Sequence, residues 1–363
     1  MSRNGPRQQR VEKPSVRAQQ PAAPDDSTSQ RAALRVDVRA LAPIAPYLDA
    51  IEPLAAALAE IDVTFATGDD VQAHDPILFI GEPARWQSFP DRRSIGALAP
   101  DASALPDAAV IALACVDAIL APSQWAAGIV RNAAPEHVRV IIAQPGVDTA
   151  AFPLVERVRG PVFRLLVDLG HVDAIRGGAD LAINAFARAF PDRDDVQLVI
   201  DAAAPIEISR PDLRVAFSRE RRSAADRARL FASVDALVHV PRCDPDGRTA
   251  LAAMAAGLPV ILADGSALHE IAEHALAVPT RDVPAYGSEA GANARWYEAD
   301  VDALADAMRS VETDYATALE RARAASEYVA RTRTWAATAA AIRTALDRIE
   351  HPDTSPAALE ITA

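Results

Sequence analysis

The chain has 363 residues, of which 50% are hydrophobic and 24% are charged, and this composition is typical of a folded globular protein rather than a disordered one. Its length predicts about two domains. A formal net charge of −13 argues against a general nucleic-acid-binding or anionic-membrane surface.

The first half of the chain begins with a tail and continues as a βα pattern. Residues 1–33 are rich in Gln, Arg, Pro and Ser with few large apolar side chains, which predicts a disordered tail. From Leu34, short apolar runs alternate with helix-length stretches, which predicts a Rossmann-like domain on a parallel sheet over 34–155. The predicted strands are 34–38, 63–67, 77–81, 116–121 and 138–143, and the predicted helices include 47–60 and 124–132.

The second half repeats this alternation after a charged linker at 152–160. It predicts a second Rossmann-like domain over 156–330, a C-terminal helix over 331–350 and a flexible tail over 351–363. The fold class is therefore α/β, with two tandem Rossmann-like domains and two or three Ala-rich helices within 301–349. The predicted strands are 164–169, 196–201, 213–217, 236–240 and 259–263, and the predicted helices are 179–190, 224–233 and 248–256.

The clearest motif lies within 236–264. An apolar strand leads through Asp244-Pro245-Asp246-Gly247 into a helix, and Ala253–Ile261 then reads AMAAGLPVI. This order resembles the donor-site segment of glycosyltransferase family 4, in which EGFG follows a strand, a second Glu comes eight residues after the first, and AMAxGxPVI follows. Further similar segments make the resemblance cover residues 115–310; they lie at 117–125, 145–152, 176–186 and 296–309.

The resemblance implies the GT-B fold and a retaining, metal-independent transfer of a sugar from a nucleotide-sugar donor. The resemblance implies no cofactor, because the nucleotide sugar is a substrate. The acceptor of the sugar would be a glycan, a lipid-linked molecule or a small molecule. In such folds a diphosphate binds where parallel strands end and helix N-termini begin. The residues implied for donor binding are Gly170, His171, Arg176, Arg242, Gly247, Arg248, Thr249 and Glu270, and Asp244 would orient the donor sugar as a catalytic residue.

Several positions depart from the family pattern where the chemistry would take place. Asp244 is shorter than the family's first Glu, and Ala252 stands where the second Glu would hold the ribose. His171 replaces an Arg and Gly177 replaces a Lys, so two fixed positive charges are lost. The donor site of this chain is therefore predicted to be divergent.

The charge of the donor-site motif is also unusual. Asp246 adds a carboxylate where a diphosphate would bind, and its negative charge opposes binding unless Arg242 or Arg248 compensates for it. Arg176, which precedes Gly177, retains one positive charge in the second similar segment.

The acceptor side is less similar to the family. The N-terminal domain is shorter than expected, and its first strand is not followed by the usual glycine-rich loop. Glu82 comes after the strand ending at Gly81 and is predicted to be an acceptor-side catalytic carboxylate. Trp86, next to Arg85, offers an aromatic face for a sugar or else packs a loop, and the sequence leaves both interpretations open.

The remaining features concern location and metal binding. Cys115 and Cys243 are too few for a disulfide framework, and no Cys/His spacing typical of a metal site is present. The basic start has no apolar signal region, and Asp117 and Pro122 interrupt the most apolar stretch, so no transmembrane segment is predicted. These observations favour a cytoplasmic protein, and they allow peripheral contact with the inner face of the membrane.

Two functions remain in competition at this point. The first is an active glycosyltransferase. The second is a non-catalytic GT-B-fold protein that acts as a binding or scaffolding partner in glycan biosynthesis, and the departures at His171, Gly177 and Ala252 are what it predicts. A nucleotide-sugar epimerase is a weaker third interpretation, because its His and carboxylate pattern cannot be placed in this sequence.

Overall fold

Helices and parallel strands alternate along both halves of the protein, which confirms the α/β class predicted from the sequence. The tails predicted for 1–33 and 351–363 lie outside the part of the chain that the structure describes, apart from Ala33. At 45–50 and 350 the backbone alone is described. The structure, a computed structural model, describes residues 33–41, 45–66, 68–203, 212–218 and 223–350.

Parallel strands form the first sheet, which has six members among the described residues. The fourth of these strands and the helix that follows it were not predicted. That strand has only four residues, and its Gly96 packs so closely against the Trp86 ring that a Cβ there would lie 2.3 Å from the ring. The strands are β1 (Leu34–Leu41), β2 (Val63–Ala66), β3 (Ile77–Gly81), β4 (Ser94–Ala97), β5 (Ala118–Ala121) and β6 (Arg139–Ile142), and the helices are α1 (Ala45–Ala59), α2 (Asp107–Leu113) and α3 (Gln124–Ala133).

The strand order of this sheet is β2-β1-β3-β4-β5-β6. Because all the pairs are parallel, the carboxyl ends of β3, β4, β5 and β6 lie along one edge of the sheet. Apolar side chains on both faces of the strands are buried, as expected for a parallel sheet with helices on both sides.

The second sheet also has six parallel strands within the described part of the chain. The sequence predicted five of them, and the sixth is a three-residue edge strand. The strands are β7 (Phe163–Gly170), β8 (Val196–Ala202), β9 (Val215–Ser218), β10 (Ala236–His239), β11 (Val260–Ala263) and β12 (Leu276–Val278), and the helices are α4 (Ala179–Ala189), α5 (Ala224–Ala232) and α6 (Arg248–Ala255).

The order of the second sheet is β12-β11-β10-β7-β8-β9. From β7 the chain runs outward through β8 to β9 and then returns to the other side of β7 to form β10. The order therefore reverses between β7 and β10. In open α/β sheets, the carboxyl end of the strands at such a reversal is where ligands bind.

The last part of the chain connects the two halves. An antiparallel hairpin follows the second sheet, and three helices come after it, as the sequence allowed. The last helix packs on the first sheet, where its Ile342 and Leu346 share a buried cluster with Val36 and Leu58. The elements are β13 (Thr280–Pro284), β14 (Arg295–Ala299), α7 (Val301–Thr313), α8 (Tyr315–Thr332) and α9 (Trp335–Glu350).

Candidate functional site

Two helix N-termini meet at the reversal between β7 and β10. Gly178 caps α4 with a positive φ of 74°, and a Cβ at this position would lie 2.0 Å from the carbonyl oxygen of Val240. Only glycine fits there, so α4 begins directly against the residue that follows β10. Gly247 caps α6 with a φ of 66°. The ends of β7 and β10 and the starts of α4 and α6 therefore meet at this edge, as the sequence predicted.

The turn before α6 is organised by the carboxylate of Asp244. Its Oδ1 accepts hydrogen bonds from the backbone N–H groups of Asp246 at 3.0 Å and Gly247 at 2.8 Å. Its Oδ2 accepts a hydrogen bond from Nε2 of His239 at 2.7 Å. The Asp246 carboxylate in turn accepts from the backbone N–H of Arg248 at 3.1 Å. Side chains of the turn itself therefore satisfy two amides of the turn and the first amide of α6.

The protonation states of the two carboxylates differ. Burial opposes ionisation of Asp244, but the hydrogen bond and charge of His239 and the two amides outweigh it and lower its pKa to about 2. Burial raises the pKa of Asp246; the charge of Asp244 adds to this effect and Arg248 opposes it. Asp244 is therefore an anion held by the amides of the turn that precedes α6.

The other predicted residues of this turn are placed on α6. Arg248 is its first residue, and its Nε donates to Oδ2 of Asp246 at 2.7 Å. Thr249 is the second residue and is half-buried. Ala252 is only 6% exposed and belongs to an apolar cluster with Leu251 and Leu268. The position of the family's ribose-binding Glu is thus part of the hydrophobic core in this protein.

A row of buried polar residues crosses the carboxyl edge of the second sheet. Asp168 of β7 pairs in register with Asp201 of β8, and both are 5% exposed. Burial raises the pKa of Asp168; Arg227 lowers it, Asp201 raises it further, and His239 of β10 lowers it. Two carboxylates in otherwise apolar strands are an unusual pattern, and this sequence signal was not used in the prediction.

Arg227 of α5 reaches this row from the helix side and was also missed. Its Nε lies 3.2 Å from Oδ2 of Asp168. Its Nη2 lies 3.6 Å from the position that a Cβ on Gly170 would occupy, and Gly170 has a positive φ of 52°. The Asp168 carboxylate therefore holds the Arg227 guanidinium beside the turn that follows β7.

Arg176 lies in the loop between β7 and α4. Its Nε is buried and has no hydrogen-bond partner among the described residues. This Nε lies 3.6 Å from Oδ2 of Asp173, and Nη1 lies 3.7 Å from Oδ2 of Asp101, so Arg176 forms two ion pairs that are too long to be hydrogen bonds. Its buried Nε–H therefore still has a hydrogen bond to offer to an anion.

Arg242, in contrast, forms ion pairs with carboxylates of the protein itself. It is 5% exposed, and its guanidinium donates to both Asp180 and Glu298 at 2.8–3.0 Å. It also donates to the backbone carbonyl of Ile175. Because two carboxylates neutralise it, Arg242 connects α4, β10 and β14 and does not present a free charge to a ligand.

Contacts between the two halves of the protein cover the Asp244 turn. The hydroxyl of Ser123 donates to the carbonyl of Pro245 at 2.8 Å, while it also caps α3. Oε1 of Glu270 accepts from the backbone N–H of Trp125 at 2.8 Å. Glu270 therefore caps α3 of the first half, instead of presenting a free carboxylate.

The β13–β14 hairpin makes a second set of contacts with the loop after β4. Nε1 of Trp296 donates to the carbonyl of Asp101 at 2.8 Å, and Ser103 and Arg295 exchange two hydrogen bonds. Cys243 is buried in this contact, and burial raises the pKa of its thiol. Cys243 is therefore a small buried packing residue of this contact.

The predicted acceptor-side residues lie on the first sheet. Glu82 is at the carboxyl end of β3, half-exposed, and accepts from Nε of Arg85 at 2.9 Å. Trp86 is 5% exposed and stacks on Phe79 with ring centroids 6.2 Å apart. Of the two interpretations of Trp86, packing is therefore the one that the structure supports, and no face of this ring is available to a sugar.

The last predicted donor-site residue, His171, is exposed in the turn after Gly170. In the described part of the chain, no group of three or more His, Cys, Asp or Glu side chains is arranged to hold a metal ion. Nor does any helix of the described residues have the length and apolarity needed to cross a membrane. The predicted roles of the site residues and the cytoplasmic location stay predictions.

The protein is similar to one glycosyltransferase family and to several solved structures. Residues 123–342 match the family model described as "Family 4 Glycosyltransferase in conflict systems". No curated protein matches the sequence. Solved structures with the GT-B fold do match the chain.

Two of these similar structures are synthases. Sucrose-phosphate synthase from Thermosynechococcus elongatus is 14% identical, with a TM-score of 0.64 over 88% of this chain and 100% of its own. The α,α-trehalose 6-phosphate synthase from Burkholderia multivorans is 11% identical, with a TM-score of 0.58 over 88% of this chain and 99% of its own.

A third similar structure is HepE from Anabaena, in complex with UDP and glucose. It is 13% identical, with a TM-score of 0.60 over 86% of this chain and 99% of its own. The two-sheet GT-B architecture predicted from the sequence is therefore confirmed by structures of the same overall topology.

Proposed function

Because the chain belongs to the family 4 glycosyltransferases of conflict systems, we propose that it transfers a sugar from a nucleotide-sugar donor to an acceptor, with retention of anomeric configuration and without a metal ion. The donor would bind at the carboxyl edge of the second sheet, at the reversal between β7 and β10. The first sheet would contribute the acceptor side.

The observation that carries this proposal is the pair of cations around the loop between β7 and α4. Arg176 has a buried Nε without a hydrogen-bond partner in the described residues, and Arg227 is held beside Gly170 by the buried Asp168. Both lie where a diphosphate would approach the N-terminus of α4. They supply positive charge in place of the two charges lost at His171 and Gly177.

These cations suit the chemistry of the transfer. The bond between the anomeric carbon and the diphosphate oxygen breaks, and a bond from that carbon to the acceptor oxygen forms on the same face of the sugar. The acceptor proton passes to the departing diphosphate. Negative charge accumulates on the leaving group, and fixed guanidinium groups in a half-buried site stabilise it without reorganisation.

We assign Asp244 mainly a positioning role. Its Oδ1 already accepts two amides, and its Oδ2 accepts one hydrogen bond from His239. One lone pair of Oδ2 is left for a hydroxyl of the donor sugar. Asp244 therefore fixes the turn before α6 and has room for at most one contact with substrate.

A second candidate function also has a specific observation in its favour. The amides of Asp246, Gly247 and Arg248, which lead into α6, are satisfied by Asp244 and Asp246, and Ala252 lies in the apolar core. A non-catalytic member of the family, kept as a binding or scaffolding partner, would have no need of free amides or a ribose-binding Glu. The two functions differ in whether a nucleoside diphosphate binds.

The test is calorimetry and thermal shift with uridine, UDP, GDP and common sugar conjugates of UDP and GDP. UDP is a reasonable first probe because HepE was solved with it. We expect one diphosphate to raise the melting temperature by mass action. Arg227→Gln should weaken its binding by about 10- to 100-fold, the effect of losing a charge-assisted contact, and should leave the corresponding nucleoside unaffected.

The matched control is Arg229→Gln. Arg229 lies on the same helix, is exposed, and pairs only with Asp226 among the described residues. It should bind the diphosphate like the native protein. If no diphosphate binds at millimolar concentration, the proposed transfer is wrong and the non-catalytic function stands. If a diphosphate binds equally well to both variants, the transfer proposal survives but Arg227 does not hold the phosphate.

A further inference from the structure

An apolar cavity lies between the first sheet and the Asp244 turn. It has a volume of about 100 Å³ and is partly open. It sits at the carboxyl edge formed by β3, β4, β5 and β6, and α1 and α9 close its sides. The lining side chains from these elements are mainly aliphatic: Ile51, Leu54, Leu78, Ile80, Ala97, Leu98, Leu120, Ala143 and Ile342, with Trp335 at one side.

Polar groups reach the cavity at only a few points. The hydroxyl of Thr338 donates to the carbonyl of Gln144 at 2.6 Å and is thereby satisfied. Charges enter from the second half of the protein as Asp246 and Arg248, whose side chains pair at 2.7 Å. Both flank the start of α6, which follows β10 at the reversal where the donor would bind under the proposed function.

This lining excludes a sugar as the occupant. A sugar ring carries several hydroxyl groups, and each loses its hydrogen bonds to water unless the protein replaces them. Aliphatic walls cannot do this. They instead favour a hydrocarbon group, because apolar cavities bind apolar ligands and stay free of water.

We propose that this cavity binds the hydrocarbon part of an acceptor alcohol, with the alcohol oxygen directed to the Asp246 end. The inference rests on the proposed function, since it names the acceptor of that transfer. An apolar cavity of about 150 Å³ accommodates benzene, so this one, at about 100 Å³, takes a group of about four carbon atoms, and its open side lets a longer chain extend outward.

Charge at the cavity end favours a hydroxyl over a phosphate. The Asp246 carboxylate can accept a hydrogen bond from an alcohol, whereas it has no hydrogen to donate to an ionised phosphate monoester. The guanidinium of Arg248 is already paired with Asp246. An alcohol is therefore favoured over the phosphate-bearing lipid carrier that would offer the same hydrocarbon chain.

The location also argues for a ligand rather than a packing defect. Protein interiors contain few voids larger than a water molecule, because each void loses packing contacts. Here the void is bounded by both halves of the protein and touches the turn that precedes α6. An acceptor group bound there would lie next to the site at which the leaving group departs.

The test measures binding of 1-hexanol, hexyl phosphate and glucose to the full-length protein by saturation-transfer NMR and titration. Ala97→Phe and Ala143→Leu each place a larger side chain in the cavity, from the ends of β4 and β6. The control is Ala108→Phe, which adds a phenyl ring on the exposed surface of α2. We expect native protein and Ala108→Phe to bind 1-hexanol equally, both cavity variants to bind it at least tenfold more weakly, and glucose not to bind. When 1-hexanol is incubated with the protein and a UDP-sugar or GDP-sugar that the protein binds, a hexyl glycoside should form.

The opposite outcomes separate the two proposals. If glucose or hexyl phosphate binds as well as 1-hexanol and is lost in Ala97→Phe, the acceptor class is wrong. If a nucleoside diphosphate stabilises the protein but 1-hexanol does not bind, the cavity proposal fails while the transfer proposal stands. If 1-hexanol binds but no nucleotide does, the transfer proposal fails and the acceptor role falls with it. Unchanged melting temperatures of the variants exclude loss of folding as the cause.

Discussion

Nε2 of His239 and Oδ2 of Asp244 lie 2.7 Å apart, and this pair joins the end of β10 to the turn that begins α6. Both side chains are at most 12% exposed. Since Oδ1 of the same carboxylate holds the amides of Asp246 and Gly247, one buried group fixes the strand end, the turn and the helix start together. The residue that resembles a catalytic Glu in the sequence is thus also a structural cap.

Replacing this carboxylate should destabilise the protein. Asp244→Asn removes the negative charge, and it leaves His239 and two amides with weaker or missing partners in a buried site. We expect the free energy of unfolding to fall by about 2–3 kcal/mol, measured by urea denaturation. The matched control is Asp264→Asn, because Asp264 pairs with His269 at the same sequence spacing but on the surface. Its loss should stay below about 1 kcal/mol, and equal losses would contradict the capping role of Asp244.

The same pair predicts a dependence of stability on pH. The pKa of Asp244 is about 2 in the folded protein, below its ordinary value of about 3.9 in an unfolded chain. The contribution of the carboxylate is therefore complete above about pH 5 and declines as the pH falls through the folded pKa. The difference in unfolding free energy between native protein and Asp244→Asn should be largest above about pH 5 and shrink at lower pH. A difference that stays constant down to pH 2 would show that the ionised form is not favoured in the fold.

Much of the architecture was accessible from the sequence, because apolar runs of strand length alternate with helical periodicity. The strand Ile77–Gly81 was predicted to the residue. β4 was missed because four residues containing Gly96 do not show a periodic pattern, and the Trp86 ring that packs on them comes from another part of the chain. Contacts between distant segments decide such short strands, and local propensity does not.

For the candidate site, the motif located the turn but not its hydrogen bonds. The sequence placed Asp244 and Gly247 correctly before α6. It could not show that the Asp244 carboxylate satisfies the amides of this turn, because that depends on the position of His239 and on side-chain conformation. Arg227 was missed for a similar reason: it faces Asp168 only because α5 packs beside β7 and β8. Single-sequence patterns do not encode such pairings.

Arg242 should prove to be structural when it is replaced. Arg242→Met keeps a long apolar stem but removes the guanidinium that pairs with Asp180 and Glu298. Both carboxylates then lose their partner in a partly buried site, so we expect a loss of about 2–4 kcal/mol in unfolding free energy. Arg281→Met is a control, because Arg281 pairs with Glu298 from an exposed position. Should Arg242→Met unfold like the native protein but lose nucleotide binding, the result would support the predicted donor role of Arg242.

A carboxylate introduced at Ala252, where the family has its ribose-binding Glu, should destabilise the protein. Ala252 is 6% exposed within an apolar cluster. Because a buried charge without a partner is costly, Ala252→Glu should lower the free energy of unfolding by about 3 kcal/mol or more. It should not increase the affinity for a nucleotide. Ala108→Glu, on the exposed surface of α2, should be nearly neutral. A stable Ala252→Glu protein with tighter diphosphate binding would show that this side chain reaches the ligand after all.

The contact of Gly178 with β10 should be the most sensitive backbone feature of the site. A Cβ at Gly178 would lie 2.0 Å from the carbonyl oxygen of Val240, and its φ of 74° is itself unfavourable for alanine. Gly287 has a similar φ of 78°, but a Cβ there would meet no atom within 4 Å, so it isolates the effect of φ. We expect Gly287→Ala to lose about 1 kcal/mol in chemical denaturation. Gly178→Ala should lose about 3–4 kcal/mol, because backbone atoms must also move and α4 must shift away from β10. Equal losses in the two variants would mean that α4 does not begin against β10, and the placement of Arg176 at the candidate diphosphate site would have to be abandoned.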